Sequence, residues 1–180
     1  MSAFPAHPAW EFVTRLYRAP GVGPTCLNLQ ERHGVDVTAM LFCLWRGAVD
    51  ARPIGPHMAP LMQAAGEWQH ATVLPVRAAR RWLKEEGKRL GEIVGISLYK
   101  TVLAAEIDCE HGELLMLAQL AETLCGPPPA PGTPLAIADN LSAFLLESGV
   151  ELDAQDRGSV TAILTAAGAA GQASRVLPPA

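Results

Sequence analysis

Residues 37–47 read VTAMLFCLWRG, and the six positions from Met40 to Trp45 are apolar without a break. Asp36, directly before the run, carries a side-chain oxygen that can cap the first free N–H groups of a helix. The run therefore reads as a helix with no side for water, and such a helix belongs in the middle of a fold. The other elements have to be arranged around it.

Outward from this segment, Pro and Gly punctuate stretches of three- and four-residue periodicity. Pro8 opens a helix containing Trp10, Val13, Leu16 and Tyr17, and Pro20 opens a second that stops at Gly34. Downstream, residues 56–70 carry Met58, Leu61, Met62, Ala65 and Trp68 on one side. Thr72 and Pro75 then mark a fresh start, since Pro is tolerated in an opening turn. That fifth helix carries Val76, Ala79, Trp82 and Leu83. After a break over residues 85–91, the longest periodic stretch runs from Ile93 to about Cys125, with a bend expected near Gly112.

Residues 126–134 read GPPPAPGTP and form a stiff connector that cannot be helical. Two short helices are expected beyond it, over 139–148 and from the cap Asp153 to about Ala167. No alternating, strand-type run occurs. The expected class is all-α: a six-helix, bundle-like body (1–125), the connector (126–134), a C-terminal helical hairpin (135–168) and a flexible tail (169–180). Short helix pairs seldom stand alone, so the hairpin should dock on the body or on a second copy.

Composition narrows the function classes. Of 180 residues, 49% are apolar and 18% charged, with 14 Lys+Arg against 18 Asp+Glu and a net charge of -4. The apolar share excludes a disordered chain, and the acidity argues against nucleic acid as a partner. No apolar run is long enough to span a membrane, and residues 1–10 lack the pattern of a secretion signal. Cys26, Cys43, Cys109 and Cys125 form no close pair, which fits reduced, packed thiols and a cytoplasmic setting. Cys43 in particular reads as inert core. The tryptophans Trp10, Trp45, Trp68 and Trp82 read as core anchors, and His33 as a last-turn cation at a helix end.

Three stretches are distinctive: APGVGPTCLNLQERHGVDVTAMLFCLWRG (19–47), TVLPVRAARRWLKE (72–85) and AAEIDCEHGELL (104–115). With Trp10 and Tyr17 ahead of them, they resemble an uncharacterised proteobacterial family of small helical proteins, known only as a domain of unknown function. The resemblance covers roughly Trp10 to Ala121 and implies a helical fold. It implies no activity, ligand or active site. His111 departs from the family pattern, as do the Pro-rich connector and the two helices after it.

Charge is segregated along the chain. Residues 77–100 hold seven basic and three acidic residues, whereas 101–126 hold no basic and five acidic ones. Arg77, Arg80, Arg81 and Lys84 recur at one-face helical spacing, as do Glu106, Glu110 and Glu113. Two helices of an antiparallel hairpin would bring these rows together, and the planar fork of Arg suits a carboxylate. The same arginines, near the start of their helix, could instead hold an anion or an acidic partner segment. Glu67 with His70 and Asp108 with His111 also have the carboxylate–imidazole spacing of helical di-iron sites, although Pro75 and the lack of bridging glutamates count against that. Phosphate loops, nucleophile elbows and dinucleotide fingerprints are absent.

These features point to a cytoplasmic, non-enzymatic protein-interaction module, acting on a partner or on a second copy through the Arg77–Lys84 face. The alternative is a helical pocket for an anionic small molecule or cofactor. A metal-dependent enzyme stands third, and no cofactor is expected.

Overall fold

The computed structural model describes residues 4–177, with the side chains of 88, 90, 92 and 93 undescribed. Among the described residues the chain is helical and has no strand. The first part comprises α1 (Pro8–Tyr17), α2 (Val22–His33), α3 (Val37–Val49), α4 (Met58–Trp68), α5 (Leu74–Glu86) and α6 (Glu92–Cys125). Beyond these lie α7 (Pro134–Glu147) and α8 (Asp156–Ala166). No helix is long and apolar enough to cross a membrane.

The caps explain several boundaries. The His7 ring nitrogen accepts from the Ala9 N–H at 3.1 Å, and the Asp36 carboxylate accepts from the Ala39 N–H at 3.1 Å. Gly34 closes α2 with φ of +68°, a left-handed conformation that suits Gly. Asp153 accepts from the N–H groups of Gln155 and Asp156, turning the chain into α8.

α3 is the centre, as its composition requires. Met40, Phe42, Cys43 and Leu44 are wholly buried, and α1, α2, α6 and α7 all contact this helix. α7 lies along it most extensively. Gly47, expected near the end of α3, is an interior position where the two backbones nearly touch: a Cβ there would fall 2.5 Å from Ile137 Cα. Asn140 of α7 reinforces the contact, accepting from the Ile54 N–H at 2.9 Å and donating to the Cys43 carbonyl at 3.3 Å.

The C-terminal helices differ from the expected hairpin. α7 packs on α3, whereas α8 packs on α2, so each covers a different part of the same core. α7 also begins at Pro134, because Thr133 accepts from the Ala136 N–H at 3.0 Å and Pro suits the first helical position. Residues 126–133 of the connector stay outside the helices. Residues 169–177, expected to fray, fold back: Ala169 and Leu177 are buried and Arg175 pairs with Asp139 at 2.6 Å. Residues 178–180 of that tail lie outside the described residues.

A second correction concerns the expected start at Thr72. α4 continues into α5 through a π-helical turn, Gln69–Val73, and the Thr72 hydroxyl donates back to the Trp68 carbonyl at 2.8 Å. The wider turn accommodates Pro75, which has no N–H to give to the preceding turn. α6 runs unbroken past Gly112, whose missing side chain makes room for the Trp68 ring. Trp68 Nε1 donates to the Cys109 carbonyl at 3.0 Å, locking α4 to α6. Trp82 is not a core anchor: it is 54% exposed, because α5 packs mainly on α6 and faces it with Leu83.

Arg52, unremarkable in sequence, closes the C-terminus of α6. Its guanidinium donates to the carbonyls of Cys125 (2.8 Å) and Pro127 (2.9 Å) while pairing with the buried Asp50 at 2.9 Å. Asp50 in turn pairs with the buried Arg46 at 2.7 Å. At the other side, Arg32 bridges Asp153 and Asp156, and His33 meets Asp156 at 2.9 Å, tying α2 to α8. His33 thus has a specific acidic neighbour besides its helix end.

The α3–α7 approach leaves no space for even a methyl group. Gly47→Ala should lower stability by about 2–4 kcal/mol, through forced separation of the helices. Urea unfolding followed by circular dichroism reads this as a fall in midpoint, while an exposed change such as Leu146→Ala should leave the midpoint within about 0.5 kcal/mol of the parent.

Candidate binding groove

The two charged rows do meet, but not as whole rows. Arg77 Nε donates to Glu106 Oε1 at 2.8 Å, and its Nη2 donates to Glu110 Oε1 at 2.6 Å. Arg80 donates to the other oxygen of Glu106. The Glu106 carboxylate, 7% exposed, is thus gripped from two sides by α5. Burial pushes its pKa up, but the hydrogen bonds and charges of Arg80 and Arg77 outweigh this and hold it below the usual carboxylate range. For Glu110 burial prevails over Arg77, and the pKa lies above the usual value.

Arg81 and Lys84 are exposed, with no ion-pair partner among the described residues. Glu113 also leaves the row. It is fully buried, accepts from Gln69 Nε2 at 2.7 Å, and lies against the Asp36 carboxylate instead of a guanidinium. Burial and the adjacent Asp36 charge push its pKa up to about 10, so the group is a neutral carboxylic acid at pH 7. Its other oxygen, Oε1, is buried without a hydrogen-bond partner among the described residues.

The four proposed metal ligands do not converge. Glu67 is exposed and accepts from Gln63, and His70 is exposed on the π-helical turn. His111 is buried with its ring stacked on Trp10, centroids 4.1 Å apart and planes at 9°, and Phe4 tilts against it. Burial lowers its pKa, with the Asp108 charge acting in the opposite direction. Among the described residues no three His, Cys, Asp or Glu side chains are placed to hold a metal ion.

What the arginine pair does line is a groove of about 410 Å³ between α1, α2, α3, α5 and α6. Arg77, Arg80, Glu106 and Glu110 make one wall, and Arg81 stands at its edge. The rest is largely apolar: Trp10 and Tyr17 from α1, Leu27 from α2, Leu41 from α3, Leu103 and Ile107 from α6. Leu27 and Ile107 remain 47% and 43% exposed. These two were missed in the sequence because each sits beside a buried neighbour, Cys26 or Glu106, at a position out of phase with the core face. An apolar residue one step off the buried stripe is the signal that could have marked them.

Cys26 and Cys43 are buried, with burial pushing both thiols up, so neither is poised as a nucleophile. The four cysteines are free.

Two measurements test this wall. Arg77→Ala strips Glu110 of its partner and leaves Glu106 held by Arg80 alone, and should cost about 2–4 kcal/mol in urea unfolding, whereas Arg81→Ala should change little. Glu113→Gln keeps the hydrogen bond from Gln69, since an amide oxygen also accepts. A carboxyl with a raised folded pKa withholds stability progressively as pH climbs from about 4.5 toward 10, because only the unfolded chain ionises freely. The variant should therefore melt like the parent at pH 4 and be more stable by about 1–3 kcal/mol at pH 8, in parallel thermal scans.

No curated protein and no solved structure matches the chain. A family model described as "Protein of unknown function (DUF2390)" matches residues 8–117, from the first residue of α1 into α6. All residues lining the groove fall inside that stretch, whereas α7 and α8 lie beyond it. The match spans more than half of the chain, which thus belongs to this family of proteins of unknown function.

Proposed function

We propose that this protein is a non-catalytic interaction module that receives a protein partner in the α1–α2–α5–α6 groove. The observation that carries the reading is the combination of an open, apolar-lined groove and a wall whose arginines are already satisfied. Catalysis requires a reactive acid, base or nucleophile with free valence toward a substrate. Here Arg77, Arg80, Glu106 and Glu110 satisfy one another, so the wall supplies shape and rigidity, and half-exposed Leu27 and Ile107 supply surface that gains from being covered. The working face consequently shifts from the whole Arg77–Lys84 row to the groove, with Arg81 and Lys84 as its outward cations. A cytoplasmic setting accords with four unpaired thiols.

An anionic small molecule is the second reading, favoured by a volume in the range of ligand pockets. It would have to draw Arg77 away from Glu110, the more exposed of its two partners. Self-association through the same groove belongs to the first reading, with a second copy as the partner.

Photo-crosslinking distinguishes these. With benzoylphenylalanine in place of Leu27, irradiation in native-host lysate should give a discrete protein adduct that is absent with the same group at Leu146 and lost on Ile107→Glu. Identical adducts from both positions, or none from the groove, would refute the interaction reading. A rise in melting temperature with inorganic phosphate, nucleotides or long-chain carboxylates, absent in Arg77→Ala, would move the assignment to the small-molecule reading.

A further inference from the structure

The groove does not end where its enclosed part ends. On α6, Ile96, Lys100, Leu103 and Ile107 recur at steps of four, three and four residues, which places them along one side of the helix. Leu103 and Ile107 line the groove, and Ile96, 49% exposed, continues the apolar row toward the α5–α6 turn. The row covers about 16 Å at 1.5 Å per residue, three turns of helix. Leu27 of α2 faces its enclosed end across the groove.

The exposed charges along this row are mostly basic, with Glu31 and Glu85 as acidic exceptions. Arg18, Arg81, Lys84 and Lys100 are exposed, and none has a carboxylate partner among the described residues. Glu106 and Glu110 are occupied by Arg77 and Arg80, which leaves Glu31 as the exposed carboxylate of the groove lining. An otherwise acidic protein thus presents a long row, apolar but for Lys100 at its edge, with further unpaired cations beside it. The walls are helices whose backbone groups are bonded internally, so they offer no ladder to an extended segment. A segment that satisfies its own backbone, namely a helix, meets no such cost.

From these observations we infer that the occupant of the groove is an amphipathic helix of a partner protein, with apolar residues spaced over about three turns and carboxylates along its flank. The inference rests on the interaction reading above and specifies its partner. The apolar stripe lies on Leu27, Ile107, Leu103 and Ile96, and the acidic flank faces Arg81, Lys84 and Lys100. Displacement of the Arg77–Glu110 pair is not required.

The test uses the full chain and three fluorescein-labelled synthetic helical peptides of about 16 residues. One carries leucines at positions 1, 5, 8 and 12 with flanking glutamates, the second replaces those glutamates by lysines, and the third scrambles the first. Fluorescence anisotropy should show the acidic helix binding at least about tenfold more tightly than either control, with affinity falling as salt rises. Ile107→Glu should abolish binding, and Arg81→Glu with Lys100→Glu should weaken the acidic peptide about tenfold while strengthening the lysine peptide. Circular dichroism of each variant confirms that it is folded. Equal binding of the scrambled or lysine peptide, or binding indifferent to Ile107→Glu, overturns the inference. If no peptide binds while the Leu27 crosslink still forms, the helical occupant is wrong and the groove reading survives; if both fail, both are wrong.

Discussion

The whole arrangement follows from the burial of α3. A helix apolar on every side has no stable position at a surface, and one or two neighbours cannot cover its full circumference. α1, α2 and α6 take part of it, and α7 closes the remainder through the Gly47 contact. That demand explains why helices separated by a Pro-rich connector are integral to the core rather than appended to it. Polar groups near α3 are bonded one by one: Asp36 at its start, Arg46 Nη2 with Asp50 at its end, Asn140 across from Cys43, although Arg46 Nε is buried without a partner among the described residues. A buried polar group gives up its hydration, and each hydrogen bond inside the fold offsets part of that cost.

Charge is used in two ways along α5. Arg77 and Arg80 are drawn inward, where Glu106 receives both, and the resulting cluster fixes α5 on a helix against which it buries little apolar surface. Pairs of this kind contribute positional definition more than net stability, because the charges give up hydration to meet. Arg81 and Lys84 lie outside the cluster and keep their full field toward solvent. One short basic sequence therefore does two jobs.

Much of the architecture was readable in the sequence because helix periodicity and caps are local. Asp36, Gly34 and the Met40–Trp45 run mark their boundaries and burial without reference to the rest of the chain. What escaped depends on distant partners. Nothing in the period of α7 says that it lies on α3, nor in α8 that it lies on α2, so a hairpin was the economical but incorrect reading. Trp82 was expected inside because aromatic residues bury well, yet α5 has a single neighbour and no second surface to cover that ring. Glu113 shares the spacing of Glu106 and Glu110, but its position about 10 Å farther along the helix axis than Glu106 carries it past the start of α5, to Gln69 and Asp36. The charged wall was legible as a pairing; the groove beside it was not, because its floor is assembled from five helices.

The π-helical turn at Gln69–Val73 has a consequence for how this family can vary in length. A turn of this kind accommodates one residue beyond the regular helix, and each residue advances the side chains by about 100°. Its extra residue therefore sets the azimuth of everything downstream. Losing it would restore a smooth rod from Met58 to Glu86 but swing the guanidinium row off its acceptors, and gaining another would overshoot them. Insertions and deletions tolerated in an ordinary loop should be selected against here, making this short stretch an indexing device that keeps α5 in phase with α6.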